Sequence, residues 1–177
     1  MLLRKPERLV IFDLDGTLCP LNSTELLLGV IEWAERNRHT QCALATNQGG
    51  VGLRYWMEKD GFGNPSAYPN VAMVEKRLSA VKAALPIQSL RLYVCYAYIT
   101  KKGQQTPVPE GEFGKSMWML DHRKPAPGML LRAMRDAQVR PSHTVMVGDR
   151  DEDMQAAQRA GCGFVTADEF FGRINGG

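Results

Sequence analysis

Short apolar runs alternate with amphipathic stretches along most of this 177-residue chain. The apolar runs predict five strands, over residues 9–13, 41–47, 90–99, 144–149 and 163–167. The amphipathic stretches predict helices, over residues 22–39, 70–86, 127–139 and 151–161. This alternation predicts an α/β fold, a Rossmann-like three-layer sandwich with a mostly parallel central sheet. In such sheets, ligands bind at the carboxyl ends of the strands.

Two of the predicted helices carry recognisable start signals. Asn70 is a suitable N-cap for the helix over 70–86, and Pro86 is a suitable stop. Its apolar residues recur at steps of three and four: Val71, Val74, Leu78, Val81 and Leu85. For the helix over 22–39, Asn22 is the predicted cap, and Glu25 three residues later completes a capping box.

Composition narrows the class of protein. The chain is 44% hydrophobic and 23% charged, values typical of a soluble globular protein, and its length predicts one domain over residues 1–177. The net charge of +3 permits an anionic substrate without demanding nucleic acid. No apolar run is long enough to cross a membrane, and residues 1–10 do not resemble a leader. We therefore expect a cytoplasmic protein with no membrane partner.

The four cysteines are far apart, and no pair has the spacing of a zinc motif. The residues are Cys19, Cys42, Cys95 and Cys162, each in or beside an apolar stretch. We expect buried free thiols in a reducing compartment.

Polar residues follow the predicted strands where each strand ends. Asp13 and Asp15 follow the first strand, and Thr46 and Asn47 end the second before a Gly-rich turn. Asp149 ends the fourth strand, with Asp153 four residues later; Arg123 and Lys124 precede a helix. Because parallel strands end at one edge of a sheet, these residues are predicted to meet there.

The residue types in this set suit a metal ion and a phosphate group bound side by side. Carboxylates without a histidine or thiol partner suit a hard cation such as Mg²⁺. A lysine, an arginine, a threonine hydroxyl and backbone amides suit a phosphate group. A carboxylate beside both can attack phosphorus, and a neighbouring carboxylate can act as acid and then as base.

The segments DLDGT, ATNQ, RKP and GDRDED occur in order over residues 10–153 and resemble the four motifs of the haloacid dehalogenase (HAD) superfamily. The resemblance implies a phosphatase that works through an aspartyl-phosphate. Asp13 resembles the nucleophile. Asp15 resembles the general acid/base and contributes its backbone carbonyl to Mg²⁺, to which Asp13 and Asp149 are also ligands.

The same resemblance implies roles for the remaining site residues. Thr46 and the Asn47 amide would bind the phosphoryl group, and Lys124 would hold Asp13 and phosphate together. Arg123 is either a further phosphate ligand or a surface charge. Asp153 would orient the site or contact the metal through water, or would simply be a carboxylate favoured at a helix N-terminus. Gln48 is expected to shape the Gly-rich turn.

The segments after the first two motifs are too short for a cap domain, so we expect an open, capless enzyme. The RKPAPGM segment resembles the branch with heptose-bisphosphate phosphatases, histidinol-phosphate phosphatases and polynucleotide 3′-phosphatases. The first two commonly carry a Cys/His zinc loop, whereas residues 100–123 hold no cysteine and only His122, so no zinc is expected. These residues are an ordered irregular loop or a mobile flap.

The leading interpretation is therefore a Mg²⁺-dependent phosphomonoesterase acting on a small phosphorylated metabolite, such as a sugar phosphate or a histidinol-phosphate-like compound. The alternatives are a 3′-phosphatase acting on nucleic-acid ends, which no long basic stripe supports, and an inactive binding module. A module of that kind is expected to lack a catalytic residue, and none of the motif residues is missing. Trp118 is predicted either to stack on a substrate ring or to anchor its loop.

Overall fold

A computed structural model of the protein describes residues 8–173. Its strands are β1 (Leu9–Phe12), β2 (Gln41–Asn47), β3 (Leu90–Cys95), β4 (Thr144–Gly148) and β5 (Gly163–Thr166). Its helices are α1 (Val30–Arg36), α2 (Gly50–Asp60), α3 (Val71–Ala84), α4 (Gly128–Ala137), α5 (Asp151–Ala160) and α6 (Ala167–Phe171). Short 3₁₀ turns connect several of them.

The five strands form one parallel sheet in the order β3-β2-β1-β4-β5. β1 is therefore central, with Phe12 opposite Leu44 of β2 and Val147 of β4. The predicted α/β fold class is confirmed. Since β2, β1 and β4 are adjacent and parallel, their carboxyl ends open on one edge of the sheet.

Alternate residues of β1 enter two separate cores. Val10 and Phe12 face a layer that contains α1 and α3, whereas Leu9 and Ile11 face a layer that contains α4 and α5. All four side chains are buried, and this continuous burial is typical of a central parallel strand covered on both faces. The result is the three-layer arrangement that the sequence predicts.

Several elements follow their sequence signals closely. β2 has the predicted bounds, and α3 begins after Asn70, whose side chain accepts a hydrogen bond from the Met73 amide at 2.9 Å. α5 ends at Gly161, which has φ of 73° and closes the helix as a left-handed C-cap. In these segments, local hydrogen bonding and the tertiary fold favour the same conformation.

The predicted helix over 22–39 is wrong for its first eight and its last three residues. Helix α1 begins only at Val30, after Gly29 with φ of 82°, and Asn22 has φ of 59° instead of capping a helix. Arg77 of α3 donates hydrogen bonds to the carbonyls of Ser23 and Pro20 at 2.8 and 3.2 Å. These tertiary bonds hold the segment in turns despite its helical pattern.

The Gly-rich turn after β2 is the start of helix α2, which the sequence did not predict. Gly52 lies in its first turn, and its amide donates to the Tyr96 carbonyl at 3.1 Å. A side chain at this position would meet that backbone, so glycine permits close packing of the helix on the end of β3.

The predicted third strand is also shortened, since the chain leaves the sheet after Cys95. The Tyr96 amide instead donates to the Met117 carbonyl at 2.7 Å. Residues 100–123 form an irregular loop with two 3₁₀ turns. Trp118 is buried against Tyr96, with ring centroids 5.5 Å apart, so it anchors this loop.

Within residues 8–173, no helix is long and apolar enough to cross a membrane. All four cysteines are free; three are buried and Cys162 is half-buried. Residues 1–7, on which the expected lack of a leader depends, lie outside the described residues.

Candidate active site

Four segments bring their polar residues to the carboxyl edge of the sheet. Asp13 follows β1 directly, and its amide donates to the Val147 carbonyl at 2.9 Å, which continues the pairing with β4. A small pocket of about 120 Å³ lies at this edge. Its lining includes Asp13, Asp15, Thr46, Asn47, Lys124 and Asp153. The predicted convergence of these residues is therefore observed.

Lys124 connects two of the carboxylates. Its Nζ lies 2.7 Å from Oδ1 of Asp13 and 2.6 Å from Oδ1 of Asp153. The lysine side chain is 3% exposed. A buried ammonium without partners would be costly, so two short charge-assisted hydrogen bonds explain how it is accommodated.

Burial and charge shift the acid–base behaviour of this cluster. Burial raises the pKa of Asp13 to about 6; Lys124 opposes this shift, and the Asp153 carboxylate adds to it. Burial lowers the pKa of Lys124, but the attraction of Asp13 and Asp153 outweighs burial and raises it above its usual range. The ammonium therefore stays charged, whereas the carboxylates are incompletely compensated.

A divalent cation fits this excess of negative charge. Carboxylate oxygens of Asp13, Asp149 and Asp153 lie within 4.8 Å of one another. Burial and then the Asp153 carboxylate raise the pKa of Asp149. Three carboxylates thus face one ammonium, and oxygen donors in this number and spacing suit Mg²⁺. Asp13 and Asp149, both predicted metal ligands, are members of this group.

The glycine of the first motif has a geometric role. Gly16 has φ of 81°, and a Cβ atom there would overlap the Asp149 carboxylate. Glycine therefore permits both the left-handed backbone and the close approach of Asp149, which follows β4, to the turn after β1.

Asn47 fixes the backbone of Lys124. Its Nδ2 donates to the Lys124 carbonyl at 2.8 Å, and its Oδ1 accepts from the Lys124 amide at 3.0 Å. This reciprocal pair joins the end of β2 to the segment before α4, residues 77 positions apart in the chain. The asparagine side chain thus positions the lysine, a contact not anticipated from the sequence.

Asp15 has three partners that the sequence did not predict, the longest contact being that of its Oδ1 with the Asn22 amide at 3.4 Å. Its Oδ1 accepts from Nη2 of Arg77 at 2.6 Å, and its Oδ2 accepts from Nε2 of Gln48 at 3.0 Å. The same Gln48 amide donates to the Thr46 hydroxyl at 2.9 Å. Gln48 therefore does more than shape the turn, because it links the end of β2 to Asp15.

Arg123 and Asp153 have clear local roles. Nη1 of Arg123 donates to the Ala97 carbonyl at 3.0 Å, and the residue is not part of the lining of the small pocket. Its predicted phosphate contact stays a prediction. Oδ2 of Asp153 accepts from the Arg150 amide at 3.2 Å, which caps α5, while its other oxygen binds Lys124. Asp153 thus binds Lys124 and the start of α5 at once, and its predicted role towards the metal stays a prediction.

Comparison with known proteins places these features in a family. A model of HAD-hydrolase-like proteins matches residues 122–167, which contain Lys124, Asp149 and Asp153. A D-glycero-alpha-D-manno-heptose-1,7-bisphosphate 7-phosphatase of Burkholderia mallei is 31% identical over 120 residues, which is 68% of this chain. A D-glycero-D-manno-heptose-1,7-bisphosphate 7-phosphatase of Thermosynechococcus vestitus is 29% identical over 94% of this chain and 82% of its own length.

The chain belongs to the HAD superfamily. Its fold resembles that of a D,D-heptose 1,7-bisphosphate phosphatase from B. bronchiseptica, crystallised with magnesium and phosphate, at a TM-score of 0.59. The two chains are 20% identical, and the match covers 96% of this chain and 87% of the other. This HAD protein spans about half, 53%, of the length of the Burkholderia relative.

The superfamily assignment confirms the resemblance on which the motifs were interpreted. In this HAD protein the DLDGT, ATNQ, RKP and GDRDED segments lie around one pocket, although they are spread over more than a hundred positions of the chain. Gln48 is the last residue of the ATNQ segment, whereas Arg77 lies outside all four segments. A search for motifs alone would therefore miss the contact between Arg77 and Asp15.

Proposed function

We propose that the protein is a Mg²⁺-dependent phosphomonoesterase that hydrolyses a small phosphorylated metabolite of the sugar-phosphate class through an aspartyl-phosphate on Asp13. The observation that carries this proposal is the buried Lys124 ammonium, held between Asp13 and Asp153 beside Asp149. It keeps one carboxylate charged next to a site that suits a cation and a phosphate. The sugar-phosphate class is favoured by the relatives, which are named for a heptose bisphosphate.

In the first step, a carboxylate oxygen of Asp13 attacks the phosphorus atom and the bond to the leaving oxygen breaks. Asp15 donates its proton to that oxygen, so the product leaves as an alcohol. Lys124 and the Thr46 hydroxyl would bind the phosphoryl oxygens. Mg²⁺ held by Asp13, Asp149 and the Asp15 carbonyl would offset the charge that builds up on these oxygens.

In the second step, water attacks the phosphorus atom of the aspartyl-phosphate. Asp15, now ionised, takes a proton from this water, and the Asp13 carboxylate is released with inorganic phosphate. The same carboxylate therefore serves as acid and then as base. Its position between Arg77 and Gln48 limits its movement between the two steps.

Hydrolysis of p-nitrophenyl phosphate tests the proposal. EDTA should abolish activity, and Mg²⁺ should restore it. Asp13→Asn should lower kcat by at least about 10³-fold, because it removes the attacking charge while keeping the side-chain shape. Glu35→Gln is the matched control, since it removes one exposed carboxylate of α1 and should leave kcat unchanged. Metal-independent turnover, or turnover by Asp13→Asn, would contradict the proposal.

The substrate class needs a separate assay. A panel of sugar monophosphates and bisphosphates, histidinol phosphate and 3′-phosphorylated oligonucleotides should be compared by kcat/KM. We expect a sugar phosphate to give the highest value. If a 3′-phosphorylated oligonucleotide were preferred, with kcat/KM falling steeply as salt is raised, the sugar-phosphate class would be wrong.

A further inference from the structure

A second cavity, larger than the small pocket at the edge of the sheet, is bordered by residues that bind Asp15. It is an open groove of about 690 Å³ between residues 66–69 and helix α3. Gln48, Arg77 and Asn22, the three residues that donate hydrogen bonds to the Asp15 carboxylate, all contribute to its walls. Asp15 itself lines the small pocket. This carboxylate therefore belongs to the small pocket and is hydrogen-bonded to the walls of the groove.

Hydrogen bonds hold both walls of the groove in place. The Tyr68 carbonyl accepts a hydrogen bond from Nη1 of Arg54 at 2.9 Å, which holds residues 66–69 against α2. The opposite wall is α3, held at its start by the Asn70 cap. Apolar and polar groups are mixed along the lining, where Met73 is 55% exposed beside Pro69 and Lys76. This mixture suits an organic group that carries hydroxyls.

We propose that this groove is the leaving-group subsite and that Arg77 is the positioning residue that holds Asp15 at its mouth. The inference rests on the proposed phosphatase function. When a phosphoryl group lies against Lys124 and Asp13, its ester oxygen must lie near Asp15 to receive a proton. The rest of the substrate then extends past Asp15, and the groove is the cavity that Arg77 and Gln48 border on that side.

The groove accounts for specificity better than the loop over residues 100–123 does. A cavity bordered by that loop is lined by Gln105, Phe113, Trp118 and neighbouring residues, none of which donates a hydrogen bond to Asp15. Two residues of the groove, Gln48 and Arg77, both do. Substrate selection therefore resides in the residues that line this groove, mainly within 66–80.

Arg77 could also be explained as a purely structural residue, since it donates to the carbonyls of Ser23 and Pro20. A structural residue would affect all substrates equally. A positioning residue would matter most where the leaving oxygen needs a proton, so the two roles differ in their leaving-group dependence.

The first test blocks the groove chemically. Ala80 lines the groove from an exposed position of α3, so Ala80→Cys can be labelled with a bulky maleimide. The probes are 2-naphthyl phosphate, whose leaving group is large, and acetyl phosphate, whose leaving group is small and needs no proton. Labelling should raise KM for 2-naphthyl phosphate at least about tenfold and change kinetics on acetyl phosphate less than about twofold. Labelled Lys82→Cys, exposed on the same helix away from the groove, is the control, together with the labelled wild type.

The second test uses Arg77→Met and Arg77→Lys with a series of substituted phenyl phosphates. The ratio of wild-type kcat to Arg77→Met kcat should grow as the leaving phenol becomes less acidic, by at least about tenfold across the series. Arg77→Lys should restore much of the lost kcat. Equal loss on every ester would make Arg77 structural and overturn its part of the proposal. If labelling of Ala80→Cys changed the kinetics on both probes equally, or changed neither, the subsite proposal would be wrong. A wild type inactive on all probes would instead refute the phosphatase function.

Discussion

The Nζ atom of Lys124 lies 2.7 Å from Oδ1 of Asp13, although the two residues are 111 positions apart in the chain. Asp13 reaches this contact because β1 ends there, and Lys124 reaches it because Asn47 binds its backbone on both sides. The pair is buried, so its attraction is poorly screened by salt. This contact favours the charged form of the proposed nucleophile and opposes the rise in its pKa that burial causes.

Removing the lysine charge should therefore reduce catalysis strongly. We expect Lys124→Met to lower kcat on p-nitrophenyl phosphate by about 10²-fold or more, a loss of the size found when one stabilising group is removed from an active site. Lys82→Met removes an exposed cation of α3 and should have no effect. Steady-state kinetics on both variants check this, and a loss of less than threefold for Lys124→Met would mean that the contact is only structural.

Neutralising Asp13 should stabilise the metal-free protein near neutral pH. Its pKa is raised from 3.8 to about 6, so the folded state holds this proton more tightly than the unfolded state does. Ionisation of Asp13 therefore lowers the free energy of unfolding progressively as pH rises from about 4 to about 6. Above that range its destabilising contribution is complete and no longer changes with pH. In EDTA, the Tm of Asp13→Asn should exceed that of the wild type at about pH 7.5, with the difference narrowing towards about pH 4.

Mg²⁺ provides the control for that measurement. It should raise the Tm of the wild type more than that of Asp13→Asn, because the variant has lost a charged ligand. A variant that is less stable than the wild type at every pH would show that the carboxylate is fully compensated without metal.

Gly16 and Gly103 offer a matched pair of glycines. Both have positive φ, 81° and 80°, so alanine strains the backbone similarly at each. At Gly16 the new methyl group would also overlap the Asp149 carboxylate, whereas nothing lies within 4 Å at Gly103. We expect Gly16→Ala to raise the Mg²⁺ concentration needed for half-maximal activity by about tenfold or more, and Gly103→Ala to leave it unchanged. Equal metal requirements in the two variants would argue against Asp149 as a ligand.

The Asn47 side chain should be needed for stability as well as activity. Asn47→Ala removes two hydrogen bonds to the Lys124 backbone and should lower the free energy of unfolding by about 1–3 kcal/mol. It should also lower kcat, because Lys124 is no longer fixed. Denaturant unfolding and kinetics measure both effects. Asn64→Ala, which removes only an exposed side-chain contact to Ser66, should do neither.

The sequence was sufficient to predict the sheet, helices α3, α4 and α5 and six of the residues lining the small pocket, because those features depend on local patterns. Helices α2 and α6 were not predicted. β2, α3 and α5 have strong periodicity and good caps, so propensity and fold agree. The false helix over residues 22–29 shows the limit of such patterns, since Arg77 fixes that segment from a distant helix. The pairing of Arg77 with Asp15 spans 62 positions and depends on how α3 packs, which no local pattern encodes.

The central claim is that Asp13 becomes phosphorylated during turnover. Asp15→Asn should slow hydrolysis of the intermediate more than its formation from p-nitrophenyl phosphate, whose leaving group needs little help from a proton. After an acid quench during turnover with Mg²⁺, intact mass spectrometry should find one phosphoryl group per chain, on the peptide that contains Asp13. The double variant Asp13→Asn with Asp15→Asn should carry none. A turning-over Asp15→Asn enzyme without phosphoryl label, or with label on another residue, would contradict the account.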